Sequence, residues 1–400
     1  MAREFIPVSE AKKLITDTII PLLPVKVSLN EAAGLVLAQD IFSISDVPPF
    51  NQSSMDGYAL NFEGWQKNRS LLIDGTAQAG LADSIPLEPQ NARRIFTGAA
   101  VPPGADTVVM QEKTSVNETK LTLTDQDITA GLHVRIKGSE AKVGELALEK
   151  NCLLSPGAIG FIAGLGIHEL LAFPQPSVSI ILTGNELQQP GLPLTHGQVY
   201  ESNSFALKAA LNQTGISKIN VLSSEDTLET LTSVLSNALQ QSDLVLLTGG
   251  VSVGDYDFVI RAAEANGIDQ IFHKIKQKPG KPIYFGKKGK KYIFGLPGNP
   301  GSVMSCFYEY VYPAIGLLNN RKIDLKQIQA PINSAQKKAP GLTHFLKGFY
   351  DGYMVHDLKA QESFRLSSFA KANCLIKLED NQKEIIEGQV VEIHMLPPIQ

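Results

Sequence analysis

The chain has little that would knit it with disulfides, carry it across a bilayer or hold it to nucleic acid. Its 400 residues contain three cysteines, Cys152, Cys306 and Cys374. They are far apart and form no C-x-x-C pair, so neither a zinc site nor a disulfide framework is indicated, and each is expected to be a small apolar core residue. The seven histidines are scattered, with no H-x-x-x-H. They read as structural residues, not as holders of a transition metal. No uninterrupted apolar run approaches the ~20 residues needed to span a membrane, and Met1-Ala2-Arg3-Glu4-Phe5 leads into a short amphipathic helix instead of a signal core. The chain therefore reads as cytoplasmic. The net charge is −4, with 36 basic and 40 acidic residues interspersed, and this argues against a nucleic-acid surface. There is no internal repeat or low-complexity tract.

What is present is a series of apolar strands that end in glycine. Ser242 to Asp257 reads S-D-L-V-L-L-T-G-G-V-S-V-G-D-Y-D, a buried strand breaking into a loop with Gly249, Gly250 and Gly254, followed by Asp255 and Asp257. Such glycines offer backbone N–H groups to an anion, and carboxylates anchor a hard cation bridging its oxygens. Taken alone, glycine after a strand is most often just a tight turn. Three further segments add to it. Val178 to Leu182 runs into Thr183-Gly184-Asn185-Glu186-Leu187. Gln277-Lys278-Pro279-Gly280-Lys281-Pro282 sets two lysines three residues apart around a Pro-Gly turn. Gly295 to Ser302, through Pro297-Gly298-Asn299-Pro300, closes a strand and opens a helix whose N-terminal N–H groups favour anions. Helical periodicity falls over Ser204 to Asn212, Thr227 to Gln241 and Tyr256 to Ala265. Strands alternating with helices imply a mostly parallel sheet, with a ligand at the carboxyl ends of its strands.

These segments, together with Pro48-Pro49-Phe50, Ser53 to Ala59 (S-S-M-D-G-Y-A), Arg94 to Asp106 (R-I-F-T-G-A-A-V-P-P-G-A-D) and Tyr200-Glu201-Ser202-Asn203-Ser204, resemble the MoeA family of molybdenum insertases, relatives of the C-terminal domain of gephyrin. The resemblance covers nearly the whole chain. It implies a multidomain α/β protein: a three-layer molybdopterin-binding α/β core over 174–328, an inserted β-rich domain over 51–130, an elongated mixed domain from 1–50 and 131–173, and a small C-terminal β-barrel over 329–400.

The resemblance also implies a transferase that inserts molybdate into adenylylated molybdopterin and releases AMP, with Mg2+ at the phosphate bridge. Bringing two anions together demands lysines, backbone N–H groups and a cation, and no protein nucleophile. On this reading Glu186, Asp255 and Asp257 hold the metal or activate water, and Lys278 and Lys281 hold phosphate or molybdate. Thr248, Gly249, Gly250, Ser252 and Gly254 cradle the terminal phosphate; Pro297, Gly298, Asn299 and Pro300 line the pterin side. Thr183, Gly184, Ser202, Asn203, Ser363 and Ser367 complete the substrate contacts. Asp226 is either a further acidic site residue or a helix N-cap. Asp56, Thr97 and Gly98 are family hallmarks that imply a composite site in a homodimer, although Asp56 and Thr97 also satisfy turns readily; Arg94 is a phosphate contact or a surface charge. Cofactor-biosynthesis or molybdoenzyme proteins are the implied partners.

The chain departs from the family pattern in three places. Asn51-Gln52 replaces Asp-Asn, Asn185 stands where Asp is common, and Phe364 and Arg365 fill small glycine positions. Loss of a carboxylate near the cation weakens metal binding or moves a proton role to Glu186, while Phe364 and Arg365 replace the C-terminal contact to pterin or molybdate, with Arg365 as a new positive charge; together they allow a second reading as a catalytically weakened molybdopterin-binding scaffold. A CinA-like nucleotide-cleaving relative fits poorly, because the M-D-G-Y-A and T-G-A-A-V-P segments lie outside that pattern.

Overall fold

The structure, a computed structural model, describes residues 3–81, 85–125, 127–250 and 258–398. Ser252, Gly254, Asp255 and Asp257 lie outside the described residues, as do the first two positions of the helix expected from Tyr256. The chain forms two compact units, one of Met1–Val25, Gly34–Val36 and Phe173–Gln400, the other of Lys26–Ala33 and Leu37–Ala172. No helix among the described residues is long and apolar enough to cross a membrane.

The first unit is built on a seven-stranded sheet in the order Arg3–Ile6, Asp269–Ile275, Tyr284–Lys288, Lys291–Leu296, Leu244–Thr248, Val178–Thr183, Ile219–Ser224. The last four strands run parallel, while Tyr284–Lys288 is antiparallel to both its neighbours. Val178–Thr183 and Leu244–Thr248 are buried at every residue, as strands covered on both faces must be. Alternation divides their side chains between two cores. Val178, Ile180 and Leu182 pack with Leu207 and Leu211 of helix Asn203–Gln213, whereas Ile181, Val245 and Leu247 pack with Leu231 and Leu235 of helix Leu228–Gln241 and Val259 of helix Phe258–Ala265. The result is the three-layer α/β core. At about 1.5–3 kcal/mol for each large aliphatic side chain removed from water, these two layers dominate its stability. Val178–Thr183 has Ile219–Ser224 on one side and Leu244–Thr248 on the other, so the chain reverses its winding there, at the point where open α/β sheets bind ligands.

The C-terminal part is a sheet of Lys326–Pro331, Val390–Met395, Cys374–Leu378, Thr343–Tyr350 and Val355–Asp357, and the bridge between Ile332 and Val355 brings its two ends together into a small barrel. Gln277–Lys278 adds a parallel strand to it, pairing with Thr343 and His344. The lysine turn is therefore a connection between antiparallel strands, not the carboxyl end of a parallel core strand. Within the second unit lies a six-stranded sheet, Thr114–Asn117, Lys120–Leu123, Ser70–Ala77, Asn91–Ile95, Gly57–Leu60, Thr107–Met110, with apolar clusters centred on Trp65 and on Ile95. Helix Pro156–Gly164, capped by Ser155, and three short sheets make up the remainder. Cys306 and Cys374 are buried, as expected of small apolar residues, and Cys152 is half-buried.

Candidate active site

The carboxyl ends of the four parallel strands are Thr183, Ser224, Thr248 and Leu296, and each is followed by residues that line one open groove of ≈ 1410 Å³. Gly184 and Glu186 come from the first end, Asp226 from the second, Gly249 and Gly250 from the third, and Pro297, Gly298, Asn299 and Pro300 from the fourth. The first and third ends touch closely. The Thr183 hydroxyl donates to the Thr248 carbonyl at 3.3 Å, and a Cβ on Gly249, at φ +86°, would lie 2.7 Å from the Thr183 carbonyl oxygen. Only glycine fits this approach. Thr183, Thr248, Ser202, Asn203, Lys278, Lys281 and Ser363 line the same groove.

The expected residues divide clearly. Sixteen of those named from sequence share the groove; Ser367 does not join them. It is exposed, and its neighbour Ser368 donates to the Ala360 carbonyl at 2.9 Å. Asp226 is not a helix cap, because Thr227 takes that position and accepts from the Thr230 N–H. The Asp226 N–H instead donates to Asn185 Oδ1 at 3.5 Å. The helix that follows Leu296 also differs from expectation. Its first N–H groups are already used: Gly301 N–H donates to the Ser363 carbonyl at 2.8 Å, and those of Ser302 and Val303 to the Asn299 carbonyl. They are therefore not free for an anion.

Charge in the groove is contributed by different elements. Glu186 and Asp226 are exposed carboxylates at strand ends, and Lys278 and Lys281 come from the turn. The Lys278 ammonium has no ion-pair or hydrogen-bond partner among the described residues, while the Lys281 ammonium lies 4.8 Å from the centre of the Phe5 ring. Sequence reasoning drew Ser363 from the C-terminal part but missed the barrel's basic residues: Lys337, Lys338, His344 and Lys359 also line the groove. Burial, with Lys338 and Lys278 close by, depresses the His344 pKa to about 4. No spacing signal marks these residues, since they meet the lysine turn only through the pairing of Gln277–Lys278 with Thr343–His344. Asn203 Nδ2 donates to the Gly298 carbonyl at 2.9 Å, leaving its Oδ1 buried and without a hydrogen bond among the described residues.

Among the described residues no three His, Cys, Asp or Glu side chains cluster closely enough to hold a metal ion. Glu186 and Asp226 nevertheless present two carboxylates to one groove. Hard oxygen donors of this kind fit magnesium.

In the second unit, Asp56 Oδ1 accepts from the Thr97 N–H at 2.7 Å and from its hydroxyl at 2.8 Å, and these bonds hold the Asp56 carboxyl below its ordinary pKa. Arg94 lies against the rings of Tyr58 and Phe96 and donates to the Gly57 carbonyl and to Gln111. Gly98, at φ +82°, closes the turn after Thr97.

The whole chain has relatives. A molybdopterin molybdenumtransferase of Haemophilus influenzae is 35% identical over 389 residues, covering 95% of this chain and 96% of the relative. The chain belongs to the MoeA family. Three family descriptions match this MoeA chain in order: "MoeA N-terminal region (domain I and II)" over residues 6–166, "Probable molybdopterin binding domain" over 179–316 and "MoeA C-terminal region (domain IV)" over 329–396. A molybdopterin molybdenumtransferase of Staphylococcus epidermidis is 31% identical across 97% of the chain and 95% of its own length. The crystal structure of a molybdopterin biosynthesis MoeA protein from Pyrococcus horikoshii superposes with a TM-score of 0.83 at 27% identity, covering 98% of this chain and 99% of that one. The "Probable molybdopterin binding domain" match contains all four parallel strand ends of this MoeA core.

Proposed function

We propose that the protein is a molybdopterin molybdotransferase, acting in molybdenum cofactor biosynthesis by inserting molybdate into adenylylated molybdopterin and releasing AMP. The observation that carries this reading is the convergence of four parallel strand ends and the Lys278–Lys281 turn on one groove in a MoeA-family chain. Molybdate and the pyrophosphate link are both anions, and Lys278 and Lys281 offset their repulsion when the two are brought together. Gly249 and Gly250 let the backbone approach the phosphate, and Asn203, Gly298 and Asn299 meet the organic part of the substrate. Glu186 and Asp226, with Asp255 and Asp257 from the segment after Gly250, would hold Mg2+; when bound, that ion screens the charge on the phosphate bridge. Glu186 is assigned, as an exposed carboxylate of the groove, either to the ion or to taking a proton from water at the bridge.

The Asp56–Thr97 turn is proposed to complete the groove of a second copy in a homodimer. The Asp56 carboxylate is held by Thr97 from a separate loop, and this fixes the two loops as one edge for the partner's substrate. The protein is proposed to work in the cytoplasm, handing its product to cofactor-biosynthesis or molybdoenzyme proteins.

The test is AMP release from adenylylated molybdopterin, with and without molybdate and magnesium, by wild type, Glu186→Gln, Lys278→Ala and Asp257→Ala. Release that requires molybdate and falls at least a hundredfold in the variants is expected; nucleotide binding without release under any condition would move the assignment to a molybdopterin-binding scaffold. Mixing Asp56→Ala with Lys278→Ala protein should restore part of the activity if the site is composite, because one mixed dimer site then carries neither substitution.

A further inference from the structure

The lysine turn is tied by its backbone at both ends: Gln277–Lys278 pairs with Thr343–His344, and the Ile275 N–H donates to the Lys281 carbonyl at 3.0 Å. The Pro279–Gly280 bend between them is held differently. Pro279 has no N–H, and the Pro279 and Gly280 carbonyls turn inward. Both are met by one side-chain amide. Gln277 Nε2, buried at 1% exposure, donates to the Pro279 carbonyl at 3.0 Å and to the Gly280 carbonyl at 3.2 Å. The other end of that amide is held as well, since Gln277 Oε1 accepts from the Tyr310 hydroxyl. Tyr310 is fully buried, in the π-helical turn Phe307–Val311 that follows helix Pro300–Cys306. Wide turns of this kind recur at functional sites. Burial keeps the Tyr310 hydroxyl protonated far above the ordinary tyrosine pKa, so it remains a donor. Gly280, at φ +85°, lies against Cys306, and a Cβ there would collide with the sulfur. The turn therefore rests on the amide and the core beneath it.

We propose that Gln277 and Tyr310 are positioning residues for the Lys278–Lys281 turn, bracing it from the core so that both ammonium groups face the anion in the groove. The proposal rests on the groove's reading as an anion site and adds the element that orders it. A buried amide with every bond satisfied and a tyrosine aimed at it form a fixed donor array. Removing the Tyr310 hydroxyl frees the amide to rotate away from the two carbonyls, and the lysines then sample positions that no longer match the anion.

The test uses inorganic pyrophosphate as the probe, titrated calorimetrically into the intact protein, and so does not depend on turnover. Tyr310→Phe keeps the ring and deletes one hydroxyl; it should weaken pyrophosphate binding about threefold to tenfold, the usual worth of one hydrogen bond. Lys278→Ala should weaken it more. In the Tyr310→Phe, Lys278→Ala double variant the Tyr310 effect should largely vanish, because the two substitutions act through one turn. Gln277→Met should reproduce Tyr310→Phe if it folds. Unchanged affinity in Tyr310→Phe, or effects of Tyr310→Phe and Lys278→Ala that simply add, would show that Tyr310 only fills the core and would overturn the proposal. Failure of wild type to bind pyrophosphate would overturn it too. Coupled pyrophosphate binding in a protein that releases no AMP from adenylylated molybdopterin would leave the brace standing and remove the transferase assignment instead.

Discussion

His344 reports directly on whether the groove holds an anion. Burial, then Lys338 and Lys278, penalise its protonated form and lower its pKa from 6.5 to about 4. An anion beside those lysines acts in the opposite direction. One negative charge ~8 Å away, at an effective dielectric of about 20, interacts by about 2 kcal/mol with the imidazolium. Screening at moderate salt roughly halves this, to about 0.7 of a pKa unit per charge. A tetrahedral dianion should therefore raise the His344 pKa by about 1.5 units. Sulfate is the probe of choice, because it has the shape and charge of molybdate and does not itself titrate in this range. The histidine ring resonances are followed by NMR through the acid range in sulfate and in chloride of equal ionic strength, with His344→Gln identifying the signal. Sulfate affinity should rise as pH falls, since the protonated ring attracts the anion. The same depression makes stability fall as pH drops from 6.5 toward 4, where the unfolded chain binds the proton and the folded chain does not. The ceiling is about 3 kcal/mol; half-exposure and screening reduce it to about 1–2 kcal/mol. A resonance titrating near 6.5, or one indifferent to sulfate, would refute the reasoning.

Other perturbations test the supports of the groove. Lys347 is 2% exposed and its ammonium donates to the Ala360, Glu362 and Arg365 carbonyls at 2.9, 3.2 and 3.1 Å; Lys347→Met should cost about 1–3 kcal/mol in urea unfolding and loosen the loop that carries Ser363. Burial tends to raise the Glu309 pKa, but Lys12 at 2.5 Å and His394 at 2.6 Å outweigh it and keep the carboxyl below its ordinary value of 4.5. Glu309→Gln should cost about 3 kcal/mol at neutral pH, and the difference from wild type should shrink as pH falls below 4.5, where the wild-type carboxylate takes up its proton. Arg365→Ala should leave pyrophosphate affinity within about twofold, because the guanidinium pairs with Glu362 at 3.0 Å at the exposed surface; a larger loss would make Arg365 a substrate contact.

The centre of the core was legible because Val178–Thr183 and Leu244–Thr248 are largely apolar runs that break into glycine, whereas Ile219–Ser224 and Asp269–Ile275 carry polar residues and gave no such signal. Such runs fit only a sheet buried on both faces, so Thr183-Gly184 and Thr248-Gly249-Gly250 announced both the strand and its ligand end. Asp226 was ambiguous for a local reason: it adjoins Thr227, and either side chain can cap a helix, so sequence alone could not say which one does. Of the C-terminal part only Ser363 was legible; the barrel's basic residues were not. Strand alternation records which face a residue takes, not which strand lies beside it, and His344 is 66 positions from Lys278, its partner across the pair. The same limit hid the supports. Gln277 reads as one polar residue in a polar turn, and Lys347 as a surface lysine in a strand. Both are buried and spend their donors on backbone carbonyls, the first on the lysine turn and the second on the loop bearing Ser363. The bends of the two irregular segments that close the groove are thus each braced by one buried side chain, in addition to backbone bonds at their ends. A catalytic groove assembled this way concentrates its vulnerability in residues that never touch the substrate, and substitutions there should move affinity and turnover before they move the fold.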